Sequence, residues 1–254
     1  MNTYRYQPEG LVSLETEGKT IVADSFLAVE GKVRSLDLHL DRFSRGIALK
    51  TPELSPLVPG FFEQVRKQIP KQGAWFPRIE AQLLEEPALL LKVRPAPEIF
   101  ETATLWTYQE PDPRLDLTVK GPELALGQTL REQAQFHGAD EAILTDNNGF
   151  ISEGSLSSLV WFKDGYLVAP GNEIPWLESI TRTEIFQVAK KLSIPTRFEL
   201  AKPEDLVGLE VWLLSSLQGI RVVTNWLGVS FDFKQSDLKA RFEAELALME
   251  QGLV

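Results

Sequence analysis

Cysteine is absent from the 254 residues, which removes disulfides, thiolate metal sites and a cysteine nucleophile in one step. Histidine is nearly as scarce, with only His39 and His137 available for imidazole chemistry. Catalysis by this chain therefore has to rest on lysine, arginine, carboxylates, hydroxyls or a bound cofactor, and no metal site is expected. The common hydrolase, nucleotide and zinc signatures are missing too: there is no G-x-S-x-G, Walker loop, H-E-x-x-H or dinucleotide fingerprint. Positive charge is in deficit, with 26 Lys and Arg against 36 Asp and Glu for a net charge of -10. Such a surface repels phosphate backbones and anionic headgroups, so neither nucleic acid nor a membrane is an expected partner. No stretch approaches the roughly 18 apolar residues of a membrane span, and the first ten residues lack a basic start followed by an apolar run. A cytoplasmic location is the default expectation.

What is present is ordinary globular composition, 43% hydrophobic with 17 Gly and 16 Pro, enough for one large domain or two modest ones. Short β-like runs at 20–23, 25–29 and 33–36 flank a hairpin turn at Glu30-Gly31-Lys32. Leu40, Phe43 and Ile47 then recur at helical spacing, predicting a helix over 37–50, and a second helix is expected over 59–68. Strands are expected at 88–94 and 103–107, followed by the polar, proline-broken stretch 109–114. Beyond it, Gly121-Pro122 is read as opening a helix that carries Leu124, Leu130 and Ala134 and closes at Gly138. Two hairpins are expected around 146–149 and 163–165, then a helix over 181–192 and a buried strand at 211–214. The expected organisation is a smaller N-terminal α+β domain over 1–107, a linker over 108–118 and a larger C-terminal domain over 119–254.

The phrase with chemical content is discontinuous. It comprises Val119-Lys120-Gly121-Pro122, then Gly138-Ala139-Asp140-Glu141-Ala142, then 146–154 with Ser152-Glu153-Gly154, and finally Ser179-Ile180-Thr181-Arg182. Taken together these segments resemble the class IV aminotransferase family, the fold-type IV enzymes that use pyridoxal 5'-phosphate (PLP). That family includes branched-chain aminotransferases, D-amino-acid aminotransferases and 4-amino-4-deoxychorismate lyases. The resemblance runs from about residue 23 to 223 in the family's order. It implies a two-domain α+β and α/β fold of the D-amino-acid aminotransferase type, with a barrel-like mixed sheet in the larger domain, and a homodimer.

By the same resemblance, Lys120 matches the lysine that holds PLP as a Schiff base and shuttles a proton as catalytic residue. In the lyase and D-amino-acid branches that lysine precedes the Asp-Glu-Ala glutamate by about twenty-one positions, as Lys120 precedes Glu141 here. Glu153 matches the carboxylate facing the pyridine nitrogen, where a negative charge keeps that nitrogen protonated and the ring able to absorb electrons. Arg42 matches the arginine that clamps the phosphate. Ile180 and Thr181, at the start of a helix, and the hydroxyl of Ser216 match further phosphate donors, while Leu177 would pack on the ring. Arg94 and Ser25 are candidates for the substrate side of the pocket. Asp24 lies in the same short stretch and carries no assigned role; His39, on the helix with Arg42, is expected to be structural or supporting.

The chain also departs from its relatives. Ala125 stands where the branched-chain branch has a tyrosine five positions after the lysine, which favours the lyase and D-amino-acid branches. The stretch 24–29 is several residues shorter than its counterparts, Ser158 replaces a common Asn, Glu178-Ser179 replace a usual Pro-Gly, and prolines follow Arg94. Two reactions stay open: amino transfer from a small amino acid to a 2-oxo acid, and release of pyruvate from 4-amino-4-deoxychorismate to leave 4-aminobenzoate. A catalytically silent PLP-binding protein is the alternative from another class.

Overall fold

The computed structural model describes residues 2–230, 232 and 234–253. The chain divides into two units, the first comprising Met1–Glu98, Val119–Pro122 and Met249–Val254, the second Ile99–Thr118 and Glu123–Leu248.

In the first unit the strands are β1 (Asn2–Gln7), β2 (Gly10–Ser13), β3 (Lys19–Ser25), β4 (Ala28–Val29), β5 (Lys32–Arg34), β6 (Ala74–Trp75), β7 (Arg78–Leu83) and β8 (Pro87–Val93). Its helices are α1 (Leu36–Lys50) and α2 (Val58–Gln68). A five-stranded antiparallel sheet has the order β2-β1-β8-β7-β3. Period-two alternation sorts its faces: Ile79, Ala81, Leu89, Leu91 and Val93 join Phe43, Ile47, Phe61 and Val65 of the helices in one core. On β7 the alternate positions are polar, and there buried Glu80 is bridged by Arg78 (2.5 Å), Lys92 of β8 (3.1 Å) and the Gln82 amide (2.7 Å). Glu30 and Gly31 both take positive φ, 47° and 73°, giving a two-residue turn whose twist suits the β4–β5 hairpin. The expected single strand over 25–29 is two, because β3 ends at Ser25 and pairing resumes at Ala28 in a different sheet. Ser35, expected within a strand, has φ 48° and turns the chain into α1.

The second unit is built on β9 (Thr102–Thr107), β10 (Glu141–Thr145), β11 (Ile151–Gly154), β12 (Ser158–Lys163), β13 (Tyr166–Pro170), β14 (Thr196–Glu199), β15 (Glu210–Ser215) and β16 (Gly219–Leu227). They form one mixed sheet in the order β11-β10-β9-β16-β15-β12-β13-β14, parallel only at β10/β9, β9/β16 and β13/β14. The sheet curls, so that its edge strand β11 also approaches β12 and β13, in agreement with the barrel-like mixed sheet expected. Ile143, Ile151, Trp161, Val168, Leu213, Val223 and Trp226 form the core of the curl. Helices α3 (Leu124–Phe136), α4 (Ile180–Lys191) and α5 (Leu238–Ala247) pack outside it.

This division differs from the one expected. β9 pairs with β10 and β16 and therefore belongs with the second sheet, and 108–118 is part of that unit rather than a linker. Residues 119–122 and the last strand, Glu250–Gly252, return to the first unit; the latter pairs with β5. The helix expected to open at Gly121-Pro122 begins at Leu124, since 121–123 turn before the first helical residue.

Candidate active site

Asp24, at the end of β3, lies opposite Ile79 in the register and so points to the helical side of the sheet. It is completely buried. Arg42 of α1 grips it bidentately, Nε on Oδ2 at 2.8 Å and Nη2 on Oδ1 at 2.8 Å. His39, one turn earlier on α1, places Nδ1 2.8 Å from Oδ1, and the Ser25 backbone N–H donates to the same oxygen at 2.7 Å. Burial alone pushes the Asp24 carboxyl up, but Arg42, His39 and the charge of Lys120 together hold it far below the ordinary carboxylate range. Burial lowers the His39 pKa, with the Asp24 carboxylate opposing it. With Asp24 ionised, His39 Nδ1 carries a proton and donates it to Oδ1.

Lys120 joins this unit through its backbone: the Ala23 N–H donates to the Lys120 carbonyl at 2.7 Å. Gly121 then passes so close that a Cβ there would lie 2.7 Å from the Ile21 carbonyl oxygen and 2.8 Å from Val22 Cα, at φ 157°. Only glycine allows this approach, which anchors Lys120 beside β3. On the opposite face of the same sheet, Arg94 donates from Nε to the Phe76 carbonyl at 2.8 Å and lies 3.4 Å from the Ser25 hydroxyl. Among the described residues it meets no carboxylate within ion-pair distance, and burial together with Arg78 lowers its pKa.

In the second unit Glu153 sits on β11, paired with Leu144 of β10, and its side chain is 6% exposed. Its Oε1 accepts the Leu177 backbone N–H at 3.1 Å and an Arg114 N–H from Nη1 at 3.0 Å. Arg114 is in turn held by Asp112, through Nε and Nη2. Oε2 of Glu153 has no partner among the described residues. Burial raises the Glu153 pKa, with Arg114, the Leu177 N–H and Arg182 opposing it. Arg182, on the first turn of α4, is buried, stacks 3.3 Å over the Trp176 ring and is pulled down to about 10 by burial. Ser179 caps α4 by accepting the Arg182 N–H. The backbone N–H groups of Ile180 and Thr181, both buried, have no described acceptor and are therefore available to an anion at the positive end of the helix. Ser216 lies in the half-buried turn between β15 and β16.

The model of the amino-transferase class IV family matches residues 22–226. This chain belongs to the class IV aminotransferase family. Over 100 residues it is 35% identical to the branched-chain-amino-acid aminotransferase of Escherichia coli K12, a match covering 35% of this chain and 32% of that protein. A longer match, 25% identical over 197 residues, covers 70% of this chain and 68% of a probable branched-chain-amino-acid aminotransferase of Rickettsia conorii. The match thus spans about a third of the length of the Escherichia coli relative. Among solved structures, the branched-chain aminotransferase of Thermoproteus uzoniensis with norvaline superposes with a TM-score of 0.81 at 18% identity, covering 100% of both chains. A hypothetical aminotransferase from Mycobacterium tuberculosis gives 0.79 at 19%, covering 98% of each. Fold-type IV architecture therefore holds for this class IV chain.

Within each unit the structure brings candidate residues together: Lys120 near Asp24 and Arg42 in the first, Glu153, Leu177 and the start of α4 in the second. Arg42, expected to clamp a phosphate, is engaged by Asp24, so any anion it takes is shared with that carboxylate. Sequence reading missed Arg114 and Arg182 beside Glu153, and Asp112 behind Arg114. The available signal was the Asp-Pro-Arg order of 112–114, in which the proline limits the backbone between an arginine and its carboxylate.

Proposed function

We propose that this class IV chain is a PLP-dependent enzyme of the aminotransferase type acting on a small amino acid, with Lys120 as the tethering and proton-carrying lysine. The observation that carries the reading is Glu153: a buried carboxylate with one oxygen held by an N–H and a guanidinium and the other left without a described partner. That is the acceptor a protonated pyridine nitrogen requires. The free N–H groups of Ile180 and Thr181 suit a phosphate, and Ser216 and Arg42 are proposed to add donors to it. Bound PLP would supply an electron sink that makes a substrate Cα–H acidic. Lys120 would take the proton from that carbon on Nζ and return it, while Leu177, fixed by its hydrogen bond to Glu153, packs on the ring. Arg94, which lacks a carboxylate partner among the described residues, and Ser25 are the proposed contacts for a substrate carboxylate. A homodimeric, cytoplasmic enzyme belongs to the same proposal.

The test is direct. Purified protein is titrated with PLP, reduced with borohydride and digested; a mass increment on the Lys120 peptide is expected, and Lys120→Ala should lose both the increment and turnover. A colourless protein with no adduct would overturn the enzyme reading. Ala125, in place of the branched-chain tyrosine, favours a second reading as 4-amino-4-deoxychorismate lyase. Conversion of the cofactor to pyridoxamine phosphate with an amino donor alone supports transfer; release of pyruvate and 4-aminobenzoate supports the lyase.

A further inference from the structure

We infer that Arg114 is a positioning residue which, pinned by Asp112, holds Glu153 as a carboxylate and reserves its Oε2 for the ring N–H of the bound cofactor. The inference rests on the proposed PLP reading and concerns residues of the second unit alone.

Arg114 comes from the polar stretch before the Lys120 segment, yet its side chain is only 5% exposed and Asp112 is 13% exposed. The guanidinium uses two edges. Nε and Nη2 face Asp112, at 2.9 Å to Oδ1 and 2.6 Å to Oδ2, and Nη1 faces Glu153 Oε1 at 3.0 Å. The Arg114 backbone N–H also donates to Asp112 Oδ1 at 3.0 Å, closing a small ring that limits rotation of the carboxylate beneath the fork. Asp112 is itself tied to β10, its N–H donating to the Thr145 carbonyl at 2.9 Å. The guanidinium thus reaches Glu153 from a position fixed to the strand next to β11.

Charge then decides what Arg114 does. A buried carboxylate facing a pyridine nitrogen has two arrangements, proton on nitrogen with both groups charged, or proton on oxygen with both neutral. Burial favours the neutral pair. A cation 3.0 Å from the carboxylate attracts it more than it repels the more distant pyridinium, so Arg114 tips the proton to nitrogen. Arg182 acts in the same direction from the first turn of α4 without forming an ion pair, and its Nη2 is buried with no hydrogen-bond partner among the described residues. Geometry supplies the second half: with Oε1 held by the Leu177 N–H and Arg114, Oε2 is the oxygen left to present.

The experiment uses the full chain loaded with PLP carrying a 15N-labelled ring nitrogen, and compares equilibrium affinity for PLP with that for the analogue bearing C–H in place of the ring nitrogen. Wild type is expected to show a protonated ring nitrogen and to prefer PLP. In Arg114→Met the nitrogen signal should move toward the unprotonated position and the preference should shrink about tenfold, the difference between a charge-assisted and a neutral hydrogen bond. Asp112→Asn retains the guanidinium but loosens its seat and should give an intermediate signal and a several-fold smaller preference; it also serves if Arg114→Met does not fold. An unchanged nitrogen signal and unchanged preference in either folded variant would overturn the inference while leaving the PLP reading intact. Wild type that takes up no PLP would instead overturn the reading on which it rests.

Discussion

At the scale of single residues, the chain buries charge and compensates it locally. Asp24 is the clearest case: a fully buried carboxylate with a bidentate arginine and a histidine N–H around it. Replacing it by Asn removes the buried carboxylate that Arg42 and His39 face, which should cost about 3–5 kcal/mol in urea unfolding at pH 7. The pH dependence has a defined sign. Because the folded pKa is depressed, the Asp24 contribution is present above its ordinary 3.8 and disappears as pH falls toward the folded value. Wild type should therefore lose stability below about pH 4 more steeply than Asp24→Asn, a difference read from paired denaturation curves. The residue types involved could be listed from the sequence, but which carboxylate meets which cation could not, since Asp24 and Arg42 are joined by the packing of α1 on β3.

At the scale of elements, Gly121 couples the Lys120 segment to β3. Gly121→Ala would put its Cβ against backbone atoms at 2.7–2.8 Å, and backbone cannot yield as a flexible side chain does. A loss of about 1–3 kcal/mol in thermal or urea unfolding is expected, with reduced retention of PLP because Lys120 moves. Strands β10 and β11 hold a carboxyl of the opposite kind from Asp24. Glu141 is buried and raised by that burial, although the hydroxyls of Ser155 (2.5 Å) and Ser157 (3.0 Å) donate to it. A raised carboxyl stabilises the fold fully below its ordinary 4.5, and that share is lost as pH rises through the folded value. Glu141→Gln should remove this decline while changing stability at low pH by less than about 1.5 kcal/mol, measured over the same pH series. Helices α1 and α4 were legible from sequence because apolar residues recur along one face of each, and β12 and β13 because each is a short apolar run bounded by the turn at 163–165. β1, β7, β14, β16 and α5 were not foreseen. β7 in particular carries Arg78, Glu80 and Gln82 on a face that is polar yet buried, a pattern that imitates a surface strand.

At the scale of the molecule, no helix among the described residues is long and apolar enough to cross a membrane. Its organisation follows from pieces that return. Val119 and Leu253 are part of the first unit's core, and Glu250–Gly252 pairs with β5, although both segments are remote in sequence from β3 and α1. A fragment of residues 1–107 would lack both and would carry β9 without β10 or β16 to pair with. It should show no cooperative unfolding transition by circular dichroism and little hydrogen-exchange protection in β3. Wild-type-like protection would show that the returning segments are dispensable to the first unit.

The sequence by itself determined the family, through the order and spacing of Lys120, Glu141, Glu153 and Ile180-Thr181, and it determined most helices and hairpins through apolar period and turn chemistry. These signals are local, or depend on distances counted along the chain. Only the tertiary structure decided that Asp24 occupies Arg42, that Arg114 and Asp112 stand behind Glu153, and that 102–118 belongs with the second sheet. The reason is physical: a buried charge is matched by whichever opposite charge the packing brings within about 3 Å, and strand partnership is settled by which backbone hydrogen bonds remain to be satisfied. Neither condition is written in the composition or period of the segments that meet.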